Sequence, residues 1–494
     1  MDTSTFPFDN TFARLPERFY ARLAPTPVSS PRLVRLNDAL ARQLSLDPAQ
    51  LTCASGIEVF AGNVVPEHAD PLAMAYAGFQ FGSWVPQLGD GRAILLGELI
   101  DCDGQRRDVQ LKGAGRTPFS RMGDGRAGLG PVLREYIVSE AMAALGIPTT
   151  RSLAAVLTGE QVIRENNLPG AVLTRVASSH IRVGTFQYFA ARRDTEALAL
   201  LADHVIQRHY PDLTSVDEPY LALLGAVIER QAALVAQWQL IGFIHGVMNT
   251  DNMSIAGETI DYGPCAFMDT YHPETVYSSI DHMGRYAYQN QPPIAHWNLA
   301  GLAQALLPLL SENEDEAVEK ATAATDTFSE RFKASYAAGL RRKLGLPTVD
   351  AGDEALGSDL LERMARNKAD FTLTFRYLSA LSQTQNDADK PVRVLFEDPD
   401  GFDQWAVLWR RRLAHDGVAD SERQDQMRKA NPLYIPRNHL VEASIRAAEG
   451  EDDLAPFNRL VTVLASPYQQ QPGADAYAEP PRPEQVVHQT FCGT

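Results

Sequence analysis

The sequence lacks the long apolar runs and the amino-terminal leader that direct a chain into or across a membrane. No stretch approaches the roughly 18 apolar residues of a membrane-spanning helix. The first residues, MDTSTFPFDNTF, lack a basic region followed by an apolar core. We therefore expect a soluble, cytoplasmic protein.

Basic residues are scarce relative to acidic ones. The chain has 45 Lys and Arg against 62 Asp and Glu, a formal net charge of −17. A surface that binds nucleic acid needs a local excess of Lys and Arg, so this balance argues against a nucleic-acid partner. An anionic ligand would have to be held by a local basic pocket.

Cysteine is also scarce, with Cys53, Cys102, Cys265 and Cys492 in 494 residues. These four make neither a disulfide scaffold nor a CxxC metal site, so their first interpretation is free thiols. A chain of this length can bury a large core and is expected to form two or three subdomains, because single cores seldom grow past about 250 to 300 residues.

Three β-like runs joined by Gly-Asp turns follow Met74: FQFGSWVP, AILLGELI and DVQLK. This pattern predicts a meander. The first connection, Gly89-Asp90-Gly91-Arg92, offers backbone amides without bulky side chains beside one guanidinium, and that combination can approach phosphate oxygens. A plain turn between strands is the alternative interpretation.

Lys112 ends the third run, and strand alternation places it on the same face as Gln110. A glycine-rich basic stretch follows, and Pro131 then opens a predicted helix that carries Glu135. A strand lysine oriented by a helix glutamate is how several enzymes hold phosphate. Alternatively, Lys112 is a solvated residue and Glu135 an acid favoured at a helix start.

Two further strand-like runs lead to Arg175 and Arg182, which bracket a Ser-Ser-His turn and could both face an anion. Ordinary surface ion pairs are the alternative. From about residue 195 the pattern is helical, and residues 219 to 242 predict a buried central helix. The tail from Ser466 is predicted to be an extended strap.

The stretch from Ile244 to Tyr271 carries Asp251, Asn252 and Asp261. The short runs MSI and TID around Gly257 predict a tight hairpin that would bring the three polar side chains together. Carboxylate and amide oxygens suit Mg²⁺ or Mn²⁺ better than zinc. The alternative is an Asx-rich turn with no metal.

This order of parts resembles the protein-kinase signature set, in which a strand lysine, a helix glutamate, an asparagine and an Asp-Phe-Gly aspartate surround ATP and metal. One departure is decisive. His245-Gly246 is followed by Val247, where kinases carry the carboxylate that acts as the base.

Longer stretches resemble the selenoprotein O family of protein adenylyltransferases, once regarded as pseudokinases. They are YAGFQFGSWVPQLGDGRA (76–93), LKGAGRTPFSRMGDGRA (111–127), LGIPTTRSLA (145–154), HGVMNTDNMSIAGETIDYGPCAFMD (245–269) and NPLYIPRN (431–438). The resemblance implies an α+β, bilobal, kinase-like fold. Its parts are an amino-terminal extension (1–70), a β-rich N-lobe (71–190), a helical C-lobe (191–400) and a carboxy-terminal helical region with a tail (401–494).

The resemblance also implies roles for individual residues. Asp251 would be the general base, Lys112 would hold phosphate oxygens and be oriented by Glu135, and Asn252 and Asp261 would coordinate Mg²⁺ or Mn²⁺. The nucleotide, bound with its α-phosphate towards the acceptor, would contact Gly89, Gly91, Arg92, Lys112, Asp124, Gly125, Arg175, Arg182 and Asp261. The family places a cysteine or selenocysteine near the chain end, so Cys265 and Cys492 could form a regulatory disulfide.

We therefore predict an ATP-dependent enzyme that transfers AMP to Ser, Thr or Tyr hydroxyls of proteins and releases pyrophosphate. It would act without a nucleic-acid or membrane partner, with a monomer favoured. One alternative is a protein or small-molecule kinase with an unusual base. The other is a catalytically inactive scaffold that binds nucleotide.

Overall fold

A computed structural model describes residues 6 to 491 of the chain. Its strands are β1 (Tyr20–Arg22), β2 (Arg32–Leu36), β3 (Leu72–Met74), β4 (Gly78–Gln80), β5 (Ser83–Val85), β6 (Ala93–Ile100), β7 (Arg106–Lys112), β8 (Ala127–Gly128), β9 (Arg151–Ile163), β10 (Asn167–Ala177), β11 (Phe243–Ile244) and β12 (Ala266–Phe267).

The helices dominate the second half of the chain. They are α1 (Asp38–Gln43), α2 (Pro48–Leu51), α3 (Ala54–Phe60), α4 (Leu129–Ala144), α5 (Val183–Ala190), α6 (Thr195–His209), α7 (Pro219–Ile241), α8 (Gln291–Leu310), α9 (Glu314–Leu344), α10 (Asp353–Arg366), α11 (Phe371–Leu378), α12 (Lys390–Arg393), α13 (Pro399–Asp416), α14 (Asp420–Ala430), α15 (Asn438–Glu451) and α16 (Ala455–Leu464).

Eight strands form one antiparallel sheet in the order β1-β3-β6-β7-β10-β9-β2, with β8 also paired to β10. The amino-terminal strands β1 and β2 therefore lie at the two ends of the strand order. Two register pairs determine what faces the interior: Lys112 lies opposite Leu173, and Gln110 lies opposite Arg175. The chain is a mixed α/β protein built on this sheet and its helices.

The alternation of side chains on β7 assigns each face of the sheet a different role. Val109 and Leu111 are fully buried in the core that also holds residues of α1 and α3. Gln110 and Lys112 point to the opposite face, where α4 packs with α15 and α16. The helix that carries Glu135 therefore covers the face that carries Lys112.

Helix α7 is the centre of the helical half, packed against α8 and α9 within the largest apolar core. In the described chain it is also the one helix whose length and composition would allow it to cross a membrane. Its residues Leu223, Val227, Leu234 and Val235 are buried inside the protein, which is the environment of a core helix in a soluble protein. A second apolar core surrounds Trp405 and Trp409.

Two predictions about local pairing are wrong. The first of the three β-like runs does not join the sheet: it folds back on itself as the separate hairpin β4–β5, and the neighbour of β6 is β3. The β6–β7 hairpin is confirmed. The MSI and TID runs do not pair with each other, because Ser254 bridges to Arg182 and Thr259 bridges to Thr149.

Candidate active site

A cleft of about 830 Å³ lies between the α4-covered face of the sheet and the loop that follows β11. Its volume is within the usual range for sites that bind a small molecule or cofactor. Twelve residues named from the sequence line it: Gly89, Gly91, Arg92, Lys112, Asp124, Gly125, Glu135, Arg175, Arg182, Asp251, Asn252 and Asp261.

Lys112 and Glu135 meet as the strand and helix pattern predicted. Lys112 Nζ lies 2.6 Å from Glu135 Oε2 and 3.3 Å from Asp261 Oδ1. Both carboxylates are charge-assisted acceptors, which fixes the ammonium on the cleft wall. The side chain of Lys112 keeps 14% of its surface exposed, so it remains open to the cleft.

Arg175 is buried next to Lys112 because the β7–β10 register sets it opposite Gln110. Gln110 Oε1 accepts hydrogen bonds from its guanidinium. Arg175 Nη1 lies 2.6 Å from Asp261 Oδ1 and 3.3 Å from Glu135 Oε1. A buried guanidinium with this many acceptors is held in one orientation.

Arg182 immediately precedes α5 and also lines the cleft. Its Nη1 donates to Asp261 Oδ2 and, at 2.8 Å, to the backbone carbonyl of Asp251. Its guanidinium lies 4.6 Å from the centre of the Tyr76 ring, and its Nη2 lies 3.7 Å from buried Asp90. Arg182 therefore ties Asp251 and Asp261 together.

Asp261 is the acceptor that these cations share, and its backbone has a left-handed φ of 63°. Burial alone would raise the pKa of its carboxyl, but Arg182, Arg175 and Lys112 together hold it well below the ordinary value. We call Lys112, Glu135, Arg175, Arg182 and Asp261 the cationic cluster. Three cations are gathered at the wall of the cleft there, which is an arrangement that can bind a polyphosphate.

The two glycine-rich segments pack against each other at the cleft edge. Gly89 has a φ of 78°, and a Cβ there would lie 2.3 Å from the ring of Phe119. A Cβ on Gly91 would lie 2.9 Å from the Phe119 carbonyl oxygen, and within the second segment a Cβ on Gly125, whose φ is 72°, would lie 2.1 Å from Gly115. Asp124 lines the same edge with its carboxylate paired to Arg164 at 2.8 Å.

Asp251 lies in a short 3₁₀ turn, buried on the loop side of the cleft. Burial raises the pKa of its carboxyl to about 6, against the opposing effect of Arg182. Gln80 Nε2 lies 3.3 Å from Oδ2, whereas buried Oδ1 has no hydrogen-bond partner within the described residues. A carboxylate whose pKa is raised towards neutral is suited to accept a proton.

Val247 stands where kinases carry the carboxylate that acts as the base. Its apolar side chain is buried, and the residue lines the cleft. Asn252 Nδ2 donates to the Val247 carbonyl at 2.9 Å, which leaves its amide oxygen as the remaining acceptor. His245 is buried with Nε2 2.9 Å from the Ile260 carbonyl, so it is a structural residue of the loop.

Sequence reasoning missed three polar residues that complete the site: Gln80, Asp90 and Gln110. Gln110 could have been found, because it shares a strand face with Lys112. Asp90 was read only as part of a glycine turn, yet it is buried and accepts from Met74 N and Gln110 Nε2. Nothing in the sequence marked Gln80 as a site residue, because the run that contains it was predicted to be a strand of the sheet.

The NPLYIPRN motif stabilises the segment after Asp261 through hydrogen bonds and ion pairs. Asn438 bonds both the N–H and the carbonyl of Phe267, at 3.2 and 2.7 Å. Buried Arg437 pairs with Asp269 and Asp370, each at 2.6 Å. The carboxy-terminal helices therefore hold the loop without entering the cleft.

Cys265 is buried beside the loop, whereas Cys492 lies outside the described residues. The described part of the tail does reach this loop, since Thr490 Oγ1 donates to the Pro264 carbonyl at 2.6 Å. The disulfide between Cys265 and Cys492 stays a prediction.

Comparison with known proteins gives a consistent result over the whole chain. A family model described as protein adenylyltransferase SelO matches residues 2–465. A protein of Rhodopseudomonas palustris (strain BisB5), named protein nucleotidyltransferase YdiU, is 65% identical over 494 residues, all of both chains. A Bradyrhizobium protein (strain BTAi1) of the same name is 64% identical over 492 residues, again covering both chains in full.

Proposed function

Because this chain belongs to the SelO family of protein adenylyltransferases, we propose that it transfers AMP from ATP to hydroxyl groups of proteins and releases pyrophosphate. The observation that carries the proposal is the arrangement of the cleft. The cationic cluster and the buried carboxylate of Asp251 line the same cleft, and Arg182 of the cluster bonds the Asp251 carbonyl.

We propose that the fold is bilobal and kinase-like, with an N-lobe at residues 71–190, a C-lobe at 191–400, an extension at 1–70 and a helical region and tail at 401–494. The concentration of strands β3 to β10 in the first range and of α6 to α12 in the second supports this division. The cleft is lined from both ranges, as expected for a site between lobes.

In this proposal Lys112, Arg175 and Arg182 hold the phosphate oxygens, and Glu135 orients Lys112. Buried cations aimed at fixed positions stabilise developing charge without reorganising during the reaction. The backbone at Gly89, Gly91 and Gly125, with the side chains of Arg92 and Asp124, would form the rest of the nucleotide contact. The close approach of the two glycine segments supports that role.

Asp251 acts as the general base. The proton of the acceptor hydroxyl moves to its carboxylate as the hydroxyl oxygen forms a bond to the α-phosphorus. The bond from that phosphorus to the bridging oxygen breaks, and pyrophosphate leaves with the electron pair. Its position in the cleft and the pKa of about 6 that burial gives its carboxyl support this assignment, and a positioned base typically contributes about 10² to 10⁴ in rate.

A divalent metal fits the residues present. Asn252 and Asp261 carry hard oxygens and line the cleft. In this structure both carboxylate oxygens of Asp261 are bonded to members of the cationic cluster, so a metal would share Asp261 with these cations. Mg²⁺ and Mn²⁺ commonly use one or two protein ligands together with substrate phosphates, which fits this pair. Such an ion supplies charge neutralisation at the phosphates.

The protein acceptors are proposed to present Ser, Thr or Tyr, and the enzyme to act as a cytoplasmic monomer. Incubation of the full chain with ATP labelled at either the α- or the γ-phosphate, Mg²⁺ or Mn²⁺ and a nucleotide-depleted bacterial protein extract tests the function. Label on protein from the α position alone is expected. Label from the γ position alone would identify a kinase, and label from neither would identify a nucleotide-binding scaffold.

A further inference from the structure

The hairpin β4–β5 stands apart from the sheet and packs on the loop that carries Asp251. Phe79 N donates to Thr250 Oγ1 at 2.8 Å. Phe81 N donates to Asn249 Oδ1 at 3.0 Å. These bonds join segments about 170 positions apart in the chain, so they hold the hairpin against the loop.

Gln80 lies between the two anchored residues, and its side chain lines the cleft. Its Nε2 lies 3.3 Å from Asp251 Oδ2. Since the backbone is bound to the loop on each side of Gln80, the amide has little freedom to leave this carboxylate. Among the described residues, Gln80 is the one whose side chain donates to the carboxylate of Asp251.

The surroundings of Asp251 are close-packed around that contact. A Cβ on Gly78 would lie 2.6 Å from Asp251 Oδ1, and a Cβ on Gly184 would lie 3.4 Å from Asp251 Cα. The Asp251 carbonyl accepts from Arg182. Backbone contacts and packing thus place Asp251 in the cleft, and Gln80 adds the side-chain hydrogen bond to its carboxylate.

We propose that Gln80 is a positioning residue for the reaction: by binding Asp251 Oδ2 it fixes the rotation of the carboxylate that accepts the proton of the acceptor hydroxyl. The inference rests on the proposed function and adds a residue to it. The proton passes from the hydroxyl to the Asp251 carboxylate, the hydroxyl oxygen bonds to the α-phosphorus, and pyrophosphate leaves with the electrons of the broken bond.

This role makes a prediction about acceptor chemistry that a purely structural role does not. A serine or threonine hydroxyl is a much weaker acid than a tyrosine phenol, whose pKa is about 10. Transfer to the aliphatic hydroxyl therefore depends more strongly on a correctly oriented base. Loss of Gln80 should reduce labelling of Ser and Thr more than labelling of Tyr.

The test compares wild type with Gln80→Met and Gln80→Glu, which keep the length of the side chain and lack the N–H donor. Gln87→Met is the matched control, because Gln87 is exposed just beyond the hairpin. Each full-length protein is incubated with ATP, metal and a nucleotide-depleted bacterial protein extract. Mass spectrometry counts AMP on Ser and Thr separately from AMP on Tyr, and equilibrium dialysis measures the Kd for ATP.

Both Gln80 variants should label Ser and Thr about 10- to 100-fold more slowly than wild type, with a clearly smaller loss on Tyr. The Kd for ATP should stay within about twofold, and Gln87→Met should match wild type. Equal losses on the two acceptor classes, or no loss, would overturn the inference while leaving the proposed function intact. A wild-type chain that transfers no AMP would overturn both.

Discussion

The cationic cluster and the Asp251 carboxylate face the same cleft but are held in opposite ways. In the cluster, the carboxylate of Asp261 is bonded to all three cations, Lys112, Arg175 and Arg182. Among residues 6 to 491 the Asp251 carboxylate has one side-chain donor, Gln80, and its buried Oδ1 has no hydrogen-bond partner. The carboxylate that holds the cations is thus bonded several times over, whereas the carboxylate that must exchange a proton is bonded once.

The largest effect should come from the shared acceptor of the cluster. Asp261→Asn removes the charge that pairs with three cations, and it also removes a proposed metal ligand. AMP transfer should therefore fall at least about 10³-fold. The rate of label transfer from α-labelled ATP measures this. Asp103→Asn, on an exposed turn, serves as the control. Transfer within tenfold of wild type would show that the cluster is not the phosphate site.

Removal of the base should separate chemistry from binding. Asp251→Asn is expected to lower turnover by roughly 10² to 10⁴ because the proton acceptor is lost, while the Kd for ATP changes little. Turnover and equilibrium dialysis on the same preparation measure the two quantities. Unchanged turnover would mean that another group accepts the proton.

A smaller effect is expected from moving the base without removing it. Gly78→Ala places a methyl group 2.6 Å from Asp251 Oδ1, so the carboxylate must shift and transfer should fall about tenfold. Gly225→Ala is the control, because a Cβ at Gly225 meets nothing within 4 Å. If both variants kept wild-type turnover, the position of Asp251 would not limit the rate.

The smallest effect concerns stability, and its sign differs between the two aspartates. The folded pKa of Asp251 is about 6, above its ordinary value of 3.8. Its charge therefore costs stability above pH 6, and that cost disappears as the pH falls towards 4. The folded pKa of Asp261 is depressed. Its contribution is therefore present above about pH 4 and is lost only in stronger acid.

Thermal midpoints in chelator, without nucleotide, should show this contrast. Asp251→Asn should raise stability at pH 7 by about 1 to 3 kcal/mol, and the gain should vanish near pH 4. Asp261→Asn should lower stability across pH 4 to 7, because it leaves buried guanidinium groups without their partner. Shifts of the same sign in both variants at pH 7 would contradict the contrast.

The cationic cluster was predictable from sequence because its members follow local rules. Period-two alternation placed Lys112 and Gln110 on one face, and the helix after Pro131 carried Glu135 to that face. Arg175 and Arg182 were noted because they bracket the Ser-Ser-His turn, and the family resemblance gave them and Asp261 their roles. Lys112, Glu135 and Arg175 lie on regular elements and Arg182 immediately precedes one. Asp261 lies in a loop, so its position came from the motif.

The base side of the cleft was less predictable because its contacts join distant segments. The MSI and TID runs were predicted to be the two strands of one hairpin. Instead, Ser254 and Thr259 each form a bridge to another part of the chain. The β4–β5 hairpin resembles a sheet strand in composition, and nothing local indicates that it packs on Asn249 and Thr250. Gln80 could not be assigned until the hairpin had been placed.

The most direct test of this account is a crystal structure of the full chain with a non-hydrolysable ATP analogue and Mg²⁺. We predict phosphate oxygens in contact with Lys112, Arg175 and Arg182, and the α-phosphorus nearer to the Asp251 carboxylate than either other phosphorus. A structure with the γ-phosphorus nearest to Asp251, or with the triphosphate away from these three cations, would contradict it.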